Sequence, residues 1–197
     1  MVAKKNTQMV ILASRSPRRI ELLKQVGIDC IVLPADIDET ALPNESPKDY
    51  VKRLAREKAL TTANSMKREY SHLTLLAADT TVSIQGEILG KPENDADAIV
   101  MLKKLSAKKH EVHTAVAATL RGSVNVLLST TEVRMTRLTS DMISAYIASG
   151  EHRDKAGAYG IQGRAAAWVK HIEGSYSGVM GLPLFETVQL INKITSK

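Results

Sequence analysis

Ser14-Arg15-Ser16-Pro17-Arg18-Arg19 places two hydroxyls and three guanidiniums in six consecutive positions. It follows a short apolar run and precedes a helical pattern, so backbone N–H groups and a helix dipole would face it too. Hydroxyls and forked guanidiniums grip anion oxygens such as those of phosphate, although an ordinary N-cap with solvated arginines accounts for the same residues. The stretch lacks the glycines and the Lys-Ser/Thr pair of a Walker motif. Asp79-Thr80 closes the apolar run Leu73–Ala78. A carboxylate at the end of a buried strand can bind Mg²⁺ or orient a water, or simply cap a turn. Asp38-Glu39 lies in an acidic loop, where paired acids suit a hard divalent cation or plain solvation. Gly90-Lys91-Pro92 holds a lysine on a stiff loop that could meet phosphate, or is a simple turn. In Asp154–Gly163, glycines at 157, 160 and 163 imply close backbone approach or positive φ. The amide of Gln162, both donor and acceptor, could read a base edge there, or the loop could be structural.

These groups need elements to hold them. Met9–Ala13 is of strand length and leads through the serine-arginine loop into a helix with Ser16 as N-cap, Pro17 in the first turn and Gly27 as stop. Ile20, Leu23 and Val26 keep helical spacing. Cys30–Leu33 reads as a second strand. Ser46-Pro47 repeats the cap-then-proline signal, and Val51, Leu54, Ala55, Ala59 and Ala63 mark one face of a helix running to about Met66. Leu73–Ala78 is apolar but for Thr74, as in a strand buried on both faces. Thr81–Ile84, Gln85-Gly86 and Ile88-Leu89 form a hairpin pattern. Asp95–Leu105 is a helix, Val112–Leu120 and Val124–Met135 are β-rich runs joined by a turn, and Thr139–Ser149 is a helix. Ala165–Ile172 reads as a strand and Pro183–Ile194 as a closing helix. Strands alternating with helices, with hairpins intruding, predict an α/β fold on a mixed sheet. No repeat, low-complexity tract or linker divides the chain. Residues 8–197 are therefore expected to form one domain behind a flexible tail, 1–7.

Composition removes several classes of function. The single cysteine among 197 residues excludes a disulfide framework and a cysteine-based zinc site, and Cys30 is read as a buried apolar residue. Aromatic residues at 4% argue against a base-stacking surface for single-stranded nucleic acid. The net charge of +6 is unevenly spread. Residues 1–24 hold six Lys/Arg and one Glu, and residues 25–47 hold five Asp/Glu and no Lys/Arg. Such alternation fits a site that holds an anion together with a divalent cation better than it fits a uniformly basic coat. No apolar run is long enough for a transmembrane helix, and Met9–Ala13 is too short for a signal peptide, so a cytoplasmic protein is expected. The histidines assemble no site: His110 and His113, three apart on a strand, face opposite sides.

Taken in order, Leu12-Ala13-Ser14-Arg15-Ser16-Pro17-Arg18-Arg19, Asp38-Glu39, Leu54-Ala55-Arg56-Glu57-Lys58-Ala59, Ala78-Asp79-Thr80, Gly90-Lys91-Pro92, Asp154–Gly163 and Gly181-Leu182-Pro183 resemble the motifs of the Maf-like family of nucleoside triphosphate pyrophosphatases. The resemblance implies a two-lobed α/β fold around a central cleft, similar to that of inosine triphosphate pyrophosphatases and often dimeric. It implies hydrolysis of a nucleoside triphosphate to the monophosphate and pyrophosphate with Mg²⁺ or Mn²⁺. Asp79 takes the position of the proton acceptor. Ser14, Arg19, Glu39, Lys58, Lys91 and Gln162 take the other polar active-site positions, and Arg18, Thr80 and Gln162 those tied to base preference. A branch that prefers 7-methyl-GTP carries tryptophan after the Ser-Pro; Arg18 stands there in this chain, which resembles the dTTP/UTP branch. The expected division of labour puts the phosphates on Ser14, Arg18, Arg19, Lys58 and Lys91, the metal on Glu39 and Asp79, the chemistry on Asp79, Glu39 and Lys91, and the base against Arg18, Thr80 and Gln162. The expected partners are the nucleotide and a second copy of the chain, with neither membrane nor nucleic acid. A competing reading is a regulatory or nucleic-acid-binding protein of cell division. It would use the basic residues but would not need Asp79, Glu39 and Gln162 together.

Overall fold

The apolar run that ends at Ala78 is the first half of an 11-residue strand at the middle of the molecule's central sheet. The computed structural model describes residues 8–196, so the tail expected over 1–7 lies outside the described residues. In chain order the elements are β1 (Gln8–Leu12), α1 (Pro17–Gln25), β2 (Ile28–Val32), α2 (Pro47–Ser65), β3 (Thr74–Ile84), β4 (Glu87–Leu89), α3 (Asp95–Leu105), β5 (Lys109–Leu120), β6 (Ser123–Met135), α4 (Ser140–Ser149), β7 (Val169–Glu173), α5 (Tyr176–Met180) and α6 (Leu184–Thr195). The sheet order is β2-β1-β3-β5-β6-β7, with β4 also on β3. The β1 pairings with β2 and β3 are parallel and the others antiparallel. The mixed α/β sheet expected from the sequence is present.

Two segments depart from the expected pattern. The strand does not end at Asp79-Thr80 but continues to Ile84. Thr80, Thr81 and Val82 are β-branched and suit extended chain, and β5 pairs with β3 from Leu75 to Ser83 without a break. The strand expected over Ala165–Ile172 is a 3₁₀ turn at Arg164–Trp168, and extended chain begins only at Val169. Ala165 and Trp168 are both buried, and their spacing of three suits a 3₁₀ repeat.

The opposite edge of β3 explains where a cleft can form. β1 pairs with Val10–Leu12 against Thr74–Leu76, and β4 takes up the same edge only from Val82. Residues 77–81 therefore have a strand neighbour on one side only. Apolar side chains gather in three clusters around this gap. Val10, Leu12, Leu76 and Ala78 face α1 and α6 on one side of the sheet. Ile11, Leu75 and Ala77 face Val51, Ala55 and Ala59 of α2 on the other. The third cluster, with Val82, Leu102, Val133, Tyr146 and Trp168, joins the far ends of β3, β5 and β6 to α3 and α4. The result is two lobes that share three long strands, with the unpaired stretch of β3 between them. Among the described residues no helix is long and apolar enough to cross a membrane.

Candidate functional site

Strand alternation assigns Asp79 and Thr80 to different halves of the site. Odd residues of β3 face α2, even residues face α1 and α6. Asp79 is 7% exposed and Lys58 of α2 is 9% exposed. Charges this buried require partners, and Lys58 Nζ donates to Asp79 Oδ1 at 2.6 Å. The same nitrogen is 2.6 Å from Glu39 Oε1. Lys91, on the loop after β4, stands 3.4 Å from Glu39 Oε2. Burial alone would push the Glu39 carboxyl up, but the hydrogen bond and charge of Lys58 and the charge of Lys91 outweigh it and hold it below its ordinary value.

Glu39 reaches this point because α2 anchors the loop that carries it. Tyr50 Oη donates to the Glu39 carbonyl at 2.9 Å, and Arg53 donates to the Thr40 carbonyl and to the Glu45 carboxylate. Burial alternates along this loop, so neighbours point apart. Asp38 is exposed and accepts the Thr40 N–H; the paired-acid reading of Asp38-Glu39 therefore holds for Glu39 alone. Tyr50, unsuspected from the sequence, lines the cleft, and its phenol is pushed up to about 12 by burial and by the charges of Asp79 and Glu39. A usable signal existed: Tyr50, Leu54 and Lys58 recur every four residues on one helix face. Glu39, Tyr50, Asp79, Thr80, Thr81, Gly90, Lys91 and Ala156 enclose about 210 Å³ between the lobes.

Thr80 opens onto the arginine side. Arg19 donates from Nε to the Gly181 carbonyl at 2.7 Å, from Nη1 to Ser14 Oγ at 3.1 Å and from Nη2 to Thr80 Oγ1 at 3.4 Å. Thr114 Oγ1 is 2.8 Å from the Gly178 carbonyl and 2.9 Å from Thr80 Oγ1. A carbonyl can only accept, so the single Thr114 proton goes to Gly178 and Thr80 donates to Thr114. The lone pairs of Thr80 are thereby left toward Arg19. Arg18 Nε donates to the Met180 carbonyl at 3.3 Å. Desolvation pulls both guanidiniums down, opposed at Arg18 by Glu21 and at Arg19 chiefly by Asp79. Among the described residues neither arginine forms a salt bridge, so their charge is uncommitted.

The start of α1 supports an anion-facing role for this side. Ser46, Asn94 and Thr139 cap α2, α3 and α4 with their side chains. Ser16 holds the N-cap position of α1, yet its side chain makes no capping bond. Its N–H instead goes to Ser14 Oγ at 3.2 Å. A helix N-terminus without a side-chain cap keeps its positive end available.

The structure thus joins Glu39, Lys58, Asp79 and Lys91 in one cluster, and Ser14, Arg19 and Thr80 in a second that meets it through β3. Lys58, expected on phosphates, bridges the two carboxylates. Gln162 is exposed in the turn after Gly160 and does not line the cleft. Its loop is tied to the site nonetheless, because the Gly157 N–H donates to the Gly90 carbonyl at 3.0 Å. Thr114 and the carbonyls of 178–181 were invisible in the sequence, since they act through space and through the backbone.

The donor set bears on the expected divalent cation. Among the described residues no group of three or more His, Cys, Asp or Glu gathers to hold one. Two carboxylates do converge, both on Lys58. Mg²⁺ is commonly held by one or two carboxylates with waters and substrate phosphates completing its shell, so Glu39 and Asp79 fit a metal that arrives with an anionic ligand.

Residues 9–194 match the model of a family described as Maf-like protein. A dTTP/UTP pyrophosphatase of Methylobacillus flagellatus is 53% identical, over 94% of this chain and 92% of that one. A nucleoside triphosphate pyrophosphatase of Haemophilus ducreyi is 47% identical, over 93% of each. The solved structure of the Staphylococcus aureus Ham1 protein superposes with a TM-score of 0.44 at 16% identity, covering 65% of this chain and 72% of that one.

Proposed function

The chain belongs to the Maf-like protein family, and from that premise we propose that it hydrolyses nucleoside triphosphates, dTTP and UTP foremost, to the monophosphate and pyrophosphate. The observation that carries this reading is the meeting, in one interlobe cleft, of a carboxylate pair with lysines from α2 and the 90–92 loop, beside uncommitted arginines. A triphosphate with its counter-cation needs both kinds of charge in close order.

The placement supports the following roles. Ser14, Arg18, Arg19 and the start of α1 lie on the α1 side and hold phosphate oxygens. Lys91, 59% exposed at its side chain, reaches phosphate from the opposite lobe. Asp79 orients a water toward the bond between the α- and β-phosphates and accepts its proton. Glu39 and Asp79 are the residues that would hold Mg²⁺ or Mn²⁺, which when bound supplies Lewis-acid stabilisation of the charge that grows on the leaving pyrophosphate. The base is assigned to Arg18 and Thr80, with Gln162, which lies outside the cleft lining, reaching it from the loop tied to Gly90. Adjacent carbonyl and imide N–H groups of uracil or thymine match the donor and acceptor of a glutamine amide.

Incubation with a panel of nucleoside triphosphates and Mg²⁺ or Mn²⁺, with both products identified, tests the proposal. The expected result is monophosphate plus pyrophosphate, fastest from dTTP and UTP. Release of orthophosphate, or a preference for 7-methyl-GTP, would overturn it.

A further inference from the structure

Lys58 stands where the carboxylates would hold a divalent cation. Its ammonium is 2.6 Å from Glu39 Oε1 and 2.6 Å from Asp79 Oδ1, so it lies between the two acids. It projects from the middle of the 19-residue helix α2 and its side chain is 11% exposed; its charge answers the carboxylates, not water. Lys91 adds a second positive charge, leaving two lysines against two carboxylates. An ammonium and a metal ion cannot both sit on Glu39 Oε1 and Asp79 Oδ1. Metal–oxygen distances of about 2.1 Å would put a metal bridging both acids in the volume the nitrogen fills, and the two cations would repel. A metal held by those two oxygens therefore requires the lysine to leave. Its flexible stem lets it do so, and a triphosphate, more highly charged than either carboxylate, offers it a new partner.

We propose that Lys58 is a resident counter-cation that keeps the Glu39–Asp79 pair closed to metal until an anionic substrate draws it away. On arrival of the nucleotide the lysine exchanges carboxylates for phosphate, and the freed acids take the metal. The nucleotide half of this exchange rests on the function proposed above, whereas the competition between lysine and metal does not. The exchange also makes metal and nucleotide tighten each other's binding by the same factor. It gives Lys58 both partners in turn: the carboxylates seen in the structure and the phosphates expected from the sequence.

Three measurements test it. Mn²⁺ is titrated, without nucleotide, into the wild type, Lys58→Met and Lys58→Arg, and free Mn²⁺ is followed by its paramagnetic resonance signal. Lys58→Met, with no competing charge, should bind Mn²⁺ about tenfold or more tighter than the wild type, while Lys58→Arg, which keeps the charge, should match it. In the wild type, acetylation of Lys58, read by mass spectrometry, should rise several-fold at saturating Mg²⁺ while that of the exposed Lys103 stays constant. This second arm decides alone if Lys58→Met fails to fold by circular dichroism. No gain in Mn²⁺ affinity in a folded Lys58→Met, or no change in Lys58 acetylation, overturns the competition. Finally, the α,β-methylene analogue of UTP, whose phosphates ligate the metal in either protein, should tighten Mn²⁺ binding about tenfold more in the wild type than in Lys58→Met. A gain in Lys58→Met without this tightening overturns the transfer to phosphate and leaves the lysine–metal competition standing.

Discussion

Asp79 and Thr80 are adjacent in sequence but serve separate clusters, because a strand turns successive side chains to opposite faces. Asp79→Asn preserves shape and leaves Lys58 its bond to Glu39, so the fold should survive while the proton acceptor is lost. Turnover should fall by about 10²–10⁴-fold, measured by pyrophosphate release alongside a thermal melt. Near-normal turnover in a folded variant would remove Asp79 from the chemistry. At this scale the residue types were legible in the sequence, since serines, arginines and acids in short ordered motifs announce phosphate chemistry. Their partners were not. Nothing in the string of letters says that Lys58 meets Glu39, nineteen positions earlier, or that Thr114 fixes the hydroxyl of Thr80.

At the scale of elements, most of the helices and strands followed from periodicity and caps, and the misreadings have physical causes. In the sequence the charged Asp79 interrupts the apolar run and reads as the end of a strand. In the molecule that residue is buried and paired, which only the tertiary structure can arrange. The glycine-rich loop shows the converse, a local signal with a verifiable cause. Gly157 has φ of +67°, and a Cβ there would lie 3.0 Å from Cβ, Cγ1 and Cγ2 of Val82. Its N–H ties this loop to Gly90, next to Lys91. Gly157→Ala should destabilise the protein by about 1–3 kcal/mol through backbone strain and overpacking, read by chemical denaturation. It should also raise KM, because the loop bearing Lys91 loses its fixed neighbour. Unchanged stability would mean that the loop can shift aside without cost.

For the molecule as a whole, buried histidines set the acid limit. His110 is 3% exposed and bonds the Tyr159 hydroxyl at 2.7 Å, and burial lowers it from 6.5 to about 4. Burial lowers His113 in the same direction. The unfolded chain takes up a proton at His110 near its ordinary value, while the folded ring stays neutral until about pH 4. Stability from this group is therefore complete above about pH 6.5 and is lost as the pH falls toward 4, by about 3 kcal/mol in all. Denaturation curves between pH 7 and 4.5 should show this decline, and His110→Gln should flatten it. An equal slope in that variant would assign the acid sensitivity elsewhere.

β3, β5 and β6 run unbroken beneath both lobes, and this binds their fates together. Neither core can dissolve without stripping apolar cover from strands that the other depends on, so loss of structure should be a single cooperative event with no half-melted state. The chain carries its own reporters: its one tryptophan, Trp168, lies in the lobe built on α3 and α4, and its one cysteine, Cys30, lies partly buried on β2 in the other. Indole fluorescence and a dye on that thiol should trace one superimposable melting curve, and two separated midpoints would show that the lobes let go independently.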